Sequence, residues 1–237
     1  VRGQLLTLLK NPPIIIISVV MMTFGFIGFG RSSMMMYYFT YVLGNPKVMS
    51  LFGLVSMAGS LAGNILIMPA LYRALHSKGH TAAAGHLLCG ISCILVDVVT
   101  PGGLAFWVLM FCAAAFMGTF SSAQYSMLGD AVDYGEWKVG LRCDGFLSSF
   151  TSLALKTGSA IGPALGLYLI NSCHYVPNAV QTPAVITMMK ANISLIPGIT
   201  ALVSAALIFS LYKLDEPRHE KIRQALQDRR KKQEKES

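Results

Sequence analysis

Six long apolar stretches, each bounded by a polar segment or by one rich in Gly or Pro, constrain this sequence more than any other feature. A membrane-spanning helix needs about 20 predominantly apolar residues, and backbone groups inside a bilayer must satisfy their hydrogen bonds within the segment. Each stretch is therefore predicted to be a transmembrane helix, and the fold to be all-α. The six spans are predicted at residues 14–43, 48–75, 82–99, 104–128, 146–170 and 193–212.

The composition excludes an ordinary soluble domain. Hydrophobic residues make up 54% of the chain and charged residues only 13%, whereas about a quarter of the residues are charged in soluble proteins. A chain of 237 residues has too little interior to bury this much apolar surface away from water. We therefore predict a polytopic membrane protein, with a six-helix bundle at residues 1–213 and a basic cytoplasmic tail at residues 214–237.

The basic residues are distributed unevenly between the two ends of the predicted spans. Fifteen Lys and Arg residues fall on the side of the chain termini, nine of them between Lys213 and Lys235, and only Lys47 and Lys190 fall on the other side. Cytoplasmic segments of membrane proteins carry such an excess, so both termini are predicted to be cytoplasmic. The net charge of +8 is then an orientation signal, and nucleic acid is not expected as a partner.

No arrangement of residues in the sequence indicates catalysis or a metal site. Cys89 and Cys93 are one helical turn apart, but no His or carboxylate accompanies them, so we interpret them as small buried hydrophobes. His76 and His80 have the same spacing in a predicted loop, where solvated side chains are expected. A Ser/His/Asp set and a Gly-rich phosphate loop are also missing. We expect no enzyme activity, no metal and no cofactor.

Arg31 is one of two Lys or Arg residues that lie well inside the predicted spans, and it follows Gly25, Gly28 and Gly30. Glycines permit close helix packing, and charged residues within spans usually face the bundle interior or a water-filled cavity. Arg31 is therefore predicted to be a cavity-facing charge. The alternative is an arginine whose side chain extends to the membrane interface.

Lys156 is the other such residue, and it lies near the middle of the fifth predicted span. A lysine at that depth costs about 2.5–3.5 kcal/mol even on insertion-based scales. Ser152 lies one turn earlier on the same helix face, while glycines at 158, 162 and 166 form a packing face on the opposite side. We predict that Lys156 faces an aqueous cavity or pairs with an acid outside this chain. The alternative is a structural salt bridge to another helix.

Four segments together resemble the glycoside–pentoside–hexuronide:cation symporters, a family that includes melibiose permeases and glucuronide carriers. The most specific is the charged motif DAVDYGEWKVGLR at residues 130–142, followed by KTGSA at 156–160. The segments YYFTYVLG in the first span and HYVPN at 174–178 extend the resemblance over most of the chain.

The resemblance implies the fold of the major facilitator superfamily, in which twelve helices form two six-helix halves around a central cavity. Six spans with cytoplasmic ends then correspond to helices VII–XII, the C-terminal half, in a chain that begins within a longer protein. The resemblance places the coupling-cation carboxylates on the N-terminal half. It implies that Lys156 lies near the sugar and cation sites, and that Ser152 and Thr151 contact the sugar. Ser121 stands where a melibiose permease has a sugar-contacting tryptophan, which argues against melibiose as the sugar.

The segment LGDAVDYGEWKVGLRCDG at residues 128–145 concentrates charges of both signs between the fourth and fifth spans. On the cytoplasmic side these charges avoid the full cost of the membrane. We predict that they form a cytoplasmic gate, in which ion pairs with loops of the N-terminal half close the cavity and part when it opens inward. The alternative is a solvated loop. The predicted gate residues are Asp130, Asp133, Glu136 and Arg142.

The tail carries Ile222 and Leu226 one turn apart among basic residues. It is interpreted either as an interfacial helix on anionic membrane lipid or as a solvated positive anchor.

The predicted function is symport of a sugar, glycoside or hexuronide with H⁺ or Na⁺ by alternating access, in the plasma membrane (the inner membrane of a bacterium). The predicted partners are the sugar, the coupling cation, membrane lipid and the N-terminal half of the transporter. A six-span receptor or scaffold, whose basic tail recruits lipid or a protein, is the alternative.

Overall fold

The computed structural model describes residues 2–214 and 216–236, and these residues form helices and short connections without a β-strand. The all-α prediction is therefore confirmed. A π-helical turn at Gly63–Ile67 joins α3 to α4, so that these two helices form one rod. The α-helices of the described residues are α1 (Arg2–Leu9), α2 (Pro12–Tyr41), α3 (Val48–Ala62), α4 (Met68–Leu75), α5 (Lys78–Leu95), α6 (Leu104–Val139), α7 (Asp144–Ser172), α8 (Pro183–Ile193), α9 (Leu195–Leu211) and α10 (Glu216–Glu236).

Five helical rods of the described chain are long and apolar enough to cross a membrane. The third predicted span, residues 82–99, corresponds to α5, which is not among these five because its first turns carry Lys78, His80 and His86. α5 nevertheless belongs to the bundle, since it packs between α6 and α9. The five rods are Pro12–Tyr41, Val48–Leu75, Leu104–Val139, Asp144–Ser172 and Pro183–Leu211.

Two predicted boundaries were wrong. The fourth span does not end at 128, because α6 continues to Val139 and stops where Gly140 adopts a left-handed conformation with φ of 76°. The last span does not begin at 193: α8 starts at Pro183, where Thr182 caps the helix by accepting a hydrogen bond from the backbone N–H of Val185. In both cases the helix includes polar residues that the apolar pattern alone would have left outside the span.

Glycines bring α2 and α7 into direct backbone contact. A Cβ atom added at Gly158 would lie 1.8 Å from the carbonyl oxygen of Met22, and one at Gly162 would lie 2.6 Å from that of Phe26. The predicted glycine packing face of the fifth span is therefore confirmed. On α2, Gly25 approaches the carbonyl oxygen of Leu155 in the same way.

The contact between α3 and α6 has the same basis. A Cβ atom at Gly59 would lie 2.6 Å from the carbonyl oxygen of Phe111, and one at Gly63 would lie 1.8 Å from that of Ala115. Small residues let two helices approach this closely. The two glycine contacts hold α3 and α6 side by side and set the wall of the cavity described below.

The C-terminal helix α10 folds back onto the bundle. Ile222 and Leu226 are buried in the same apolar cluster as residues of α2, α5 and α6. The guanidinium of Arg229 donates to the backbone carbonyl of Trp137 at 3.1 Å. The apolar side chains of the tail thus pack on the protein in this structure, whereas the sequence suggested packing on lipid or no packing at all.

Candidate functional site

A cavity of about 370 Å³ lies between α2, α3 and α6. Its walls combine apolar side chains with one buried cation and several hydroxyl groups, an unusual lining inside so apolar a bundle. We call it the α2–α3–α6 cavity. The polar side chains that line it are Arg31, Ser32, Ser56, Ser60 and Ser121.

Arg31 lies on the wall of this cavity and is only 8% exposed. Its Nε–H donates to the backbone carbonyl of Ile193 at 3.1 Å, and its Nη2 contacts the Sδ atom of Met110 at 2.7 Å. Both acceptors are uncharged. The side chain therefore lies inside the bundle and does not extend to an interface.

The carbonyl of Ile193 is free to accept from Arg31 because of a break in the last rod. Residue 197, one turn beyond Ile193, is a proline and has no N–H to donate. Ser194 separates α8 from α9 at the same place, with φ of −117° and ψ of −73°. Arg31 supplies the donor that the proline removes, so its guanidinium is held in a fixed orientation.

A row of polar side chains on the α3–α4 rod faces α6. Ser56, Ser60 and Asn64 are four residues apart and share one helix face. The Asn64 amide donates to the carbonyl of Ser60 at 2.9 Å, and its Oδ1 accepts a short hydrogen bond from the hydroxyl of Ser122. The sequence reasoning missed this row, although its regular spacing was a signal that could have revealed it.

The π-helical turn at Gly63–Ile67 lies beside this row. The backbone N–H of Met68 bonds to the carbonyl of Gly63, and the hydroxyl of Thr119 donates to the same carbonyl at 3.2 Å. Pro69 follows directly and cannot donate a backbone hydrogen bond to the preceding turn. Wide turns of this kind are frequent at functional sites, and this one places Asn64 opposite α6.

Lys156 and Ser152 lie on an exposed face of α7, outside the α2–α3–α6 cavity. Thr151 is buried, and its hydroxyl donates to the carbonyl of Ser148 at 2.9 Å. The structure thus keeps Lys156 and Ser152 on one face, separates Thr151 from them, and brings none of the three to Arg31. Their roles in sugar binding remain predictions.

The predicted gate residues lie mostly on a helix and not in a loop between the fourth and fifth spans. Asp130, Asp133 and Glu136 belong to the last turns of α6, and Arg142 follows in the short connection to α7. The Nζ of Lys78 lies 2.8 Å from both carboxylate oxygens of Asp130.

Arg142 joins the other acidic side chains of this region. Its guanidinium lies 2.7 Å from Glu136, 2.9 Å from Asp144 and 3.2 Å from Asp133. The carboxylates of Glu136 and Asp144 raise the pKa of Arg142 above its ordinary value, so the side chain stays charged. On the other side of Asp133, the Nε2 of His219 in α10 lies 3.3 Å from the carboxylate. The charged cluster is thus paired within this chain and reaches the tail.

Among the described residues, His, Cys, Asp and Glu form no group of three or more that could hold a metal ion.

The model of the family described as MFS/sugar transport protein matches residues 1–216 of the chain. Individual relatives are similar over most of the chain. The inner membrane symporter YicJ of Escherichia coli (strain K12) is 31% identical over 78% of this chain and 40% of its own length. The glucuronide carrier protein homolog of the same organism is 26% identical over 96% of this chain and 50% of its own length.

The uncharacterized symporter YjmB of Bacillus subtilis (strain 168) is 27% identical over 93% of this chain and 48% of its own length. The chain thus spans about half the length of the curated relatives it matches, between 40% and 50% for these three. The extent of the family match and the all-helical, membrane-spanning architecture lead to one assignment. This chain belongs to the MFS/sugar transport protein family.

Proposed function

We propose that the chain is the C-terminal six-helix half of a transporter that carries a sugar or glycoside together with H⁺ or Na⁺ by alternating access. The observation that carries this proposal is the α2–α3–α6 cavity, in which Arg31 and four serines line a space inside an apolar bundle. Polar and charged side chains at membrane depth mark substrate pathways. The match to relatives named as symporters and as a glucuronide carrier homolog supports the same class.

The coupling cation is proposed to bind mainly to the N-terminal half. Five acidic residues lie between positions 14 and 212. Asp97 follows the end of α5, and the other four belong to the charged cluster at the end of α6 and the start of α7. Neither position is at the middle of a span. A carboxylate site for H⁺ or Na⁺ at membrane depth would therefore come from outside this chain.

Lys156 and Ser152 are proposed to contact the sugar from α7 as it passes between the two halves, outside the α2–α3–α6 cavity, with Thr151 supporting that part of the helix. Contact of either exposed side chain with lipid would cost free energy, since a lysine near the centre of a span loses several kcal/mol of hydration. A second helical half that covers this face, with water and sugar between the halves, removes that cost. The exposure of Lys156 in the half alone supports this arrangement.

The charged cluster of Asp130, Asp133, Glu136 and Arg142 is proposed to act as the cytoplasmic gate. Because these side chains already pair within the chain, the gate would work as one rigid charged surface that docks against loops of the other half. We place this surface and both termini in the cytoplasm, in the inner membrane of a bacterium, on the basis of the excess of basic residues on that side.

Uptake by the full-length protein tests the proposal. In proteoliposomes that contain the complete coding sequence, a Na⁺ or H⁺ gradient should drive accumulation of at least one sugar from a panel of glycosides and uronides. Lys156→Ala should abolish coupled accumulation with unchanged amounts of protein, whereas Thr157→Ala, the exposed neighbour, should retain it. Normal coupled accumulation in Lys156→Ala would refute the role of the lysine, and a protein that moves no sugar of the panel would refute the transport proposal.

A further inference from the structure

Arg31 carries a positive charge that the described part of the chain does not neutralise. A guanidinium has five N–H donors in a fixed fork, and the two contacts of Arg31 are with a backbone carbonyl and a thioether sulfur. In residues 2–214 and 216–236, no carboxylate lies within ion-pair distance of it, since the ion pairs of these residues belong to Lys78, Arg142 and His219. At 8% exposure, such a charge is expected to need an anion beside it.

The contacts of Arg31 determine which edge of the guanidinium is available. Nε is committed to the carbonyl of Ile193, and Nη2 is oriented towards Met110. The remaining N–H groups, including both on Nη1, are not used in the described structure. Arg31 lines the α2–α3–α6 cavity, so its guanidinium has N–H groups left for an anion bound there.

The shape and lining of the cavity suit one small polar molecule. A volume of about 370 Å³ is within the range of pockets that hold small ligands. The hydroxyl groups of Ser56, Ser60 and Ser121 line the same space, and a hydroxyl both donates and accepts hydrogen bonds. The lining of the cavity therefore combines a cation with neutral partners for the hydroxyl groups of a sugar.

We propose that the α2–α3–α6 cavity is the binding site of an acidic sugar, whose carboxylate or sulfonate group binds the free edge of the Arg31 guanidinium. This inference rests on the proposed function and narrows its substrate to sugars with one negative charge. Arginine suits the role because its planar fork binds both oxygens of such a group. The hydrogen bond to Ile193 holds the fork in place before the sugar arrives.

Two methyl glycosides that differ at one position provide the test. Methyl glucuronide carries a carboxylate where methyl glucoside carries a hydroxymethyl group, and a third compound with a sulfonate at that position separates the two acidic groups. In proteoliposomes of the full-length protein, at least one acidic compound should have a KM at least about tenfold below that of the glucoside, since a charged hydrogen bond is worth about tenfold or more. Arg31→Gln should remove this preference, so that the KM values of the acidic compound and of the glucoside agree within about twofold in that variant.

A second variant separates the charge of Arg31 from its structural role. Pro197→Ala restores an N–H one turn beyond Ile193, so that the carbonyl of Ile193 no longer depends on Arg31. If Arg31→Gln alone does not fold, Arg31→Gln in the Pro197→Ala background should fold and should still lack the preference for acidic sugars. Pro197→Ala by itself should keep that preference.

Binding to the purified protein distinguishes failure of the site from failure of transport. Protection against heat by each methyl glycoside is measured for the parent protein and for both Arg31→Gln variants. Arg31-dependent protection by an acidic compound without any uptake would support the site and refute transport. Uptake with no preference for an acidic compound, or with a preference that survives Arg31→Gln, would overturn the site and leave transport standing. Protection without uptake, and without a preference that depends on Arg31, would overturn both. A protein that neither binds nor moves any of the three compounds would overturn both.

Discussion

The Nζ of Lys78 lies 2.8 Å from both carboxylate oxygens of Asp130 and joins the first turn of α5 to the last turns of α6. The Asp130 side chain is 9% exposed and that of Lys78 is 21% exposed. The pair is therefore better shielded from water than the ion pairs of Arg142, whose side chain is 46% exposed. His219 of α10 lies 3.5 Å from the same Asp130 carboxylate, so one acid connects α5, α6 and the tail.

Removal of Lys78 should destabilise the protein more than removal of Arg142. Lys78→Ala leaves a nearly buried carboxylate without its closest partner, which should cost about 1–3 kcal/mol. Arg142→Ala removes contacts that are largely exposed and should cost less than about 1 kcal/mol. In thermal unfolding in detergent, about 1 kcal/mol corresponds to a fall in Tm of roughly 2–4 °C for a domain of this size.

The double variant Lys78→Ala/Asp130→Asn serves as the control. It should lose less stability than the two single changes added together, because the amide does not need a cation. Equal falls in Tm for Lys78→Ala and Arg142→Ala would contradict the importance assigned to burial.

Gly158→Ala should separate α2 from α7. Its Cβ would lie 1.8 Å from the carbonyl oxygen of Met22, a backbone atom that cannot turn aside. Overpacking of this kind costs about 1–3 kcal/mol, and sometimes more. We expect a lower Tm and a larger aggregated fraction in size-exclusion chromatography. Gly53→Ala is the matched control, since its Cβ would meet nothing within 4 Å; a comparable loss there would show that glycine itself, and not close packing, matters.

The contact of α10 with the bundle should protect the tail from proteases. Leu226 is buried in the apolar cluster. Leu226→Asp should therefore destabilise the packing of α10 on the bundle by a few kcal/mol and detach that face of the helix. Trypsin should then cleave the tail at its Lys and Arg residues at least several times faster than in the parent protein. Gln227→Asp adds the same charge at the exposed neighbouring position and should leave the rate nearly unchanged. Equal cleavage of the parent and Leu226→Asp would show that α10 does not pack on the bundle.

The fold could be predicted from the sequence because the bilayer restricts the choice of structure. Long apolar segments must be helices there, and the glycine spacings at 158, 162 and 166 identified a packing face that the structure confirms. The ends of the helices were harder to predict from the sequence. α6 continues through Asp130 and Glu136 to Val139, because water and ion pairs at the membrane surface stabilise turns that a hydropathy pattern counts as loop.

The arrangement of the site was only partly predictable. A charge at Arg31 was visible in the sequence, but its contact with Ile193 joins residues 162 positions apart and depends on the proline at 197. The polar row on α3 was overlooked because single serines and one asparagine are common in spans and carry little signal alone. Lys156 lies on an exposed face of α7, outside the α2–α3–α6 cavity, so its placement in a cavity stays a prediction.

The orientation proposed for the chain can be tested with two introduced cysteines. Val180 is fully exposed in the connection between α7 and α8, and Lys221 is exposed on α10. Since the rod formed by α8 and α9 separates these positions by one passage through the membrane, Val180→Cys should react with a membrane-impermeant maleimide in intact cells from which any outer membrane has been removed. Lys221→Cys should react only after lysis. The parent protein, with its five native cysteines, gives the background labelling. The reverse pattern would place the basic tail outside the cell and overturn the orientation inferred from charge.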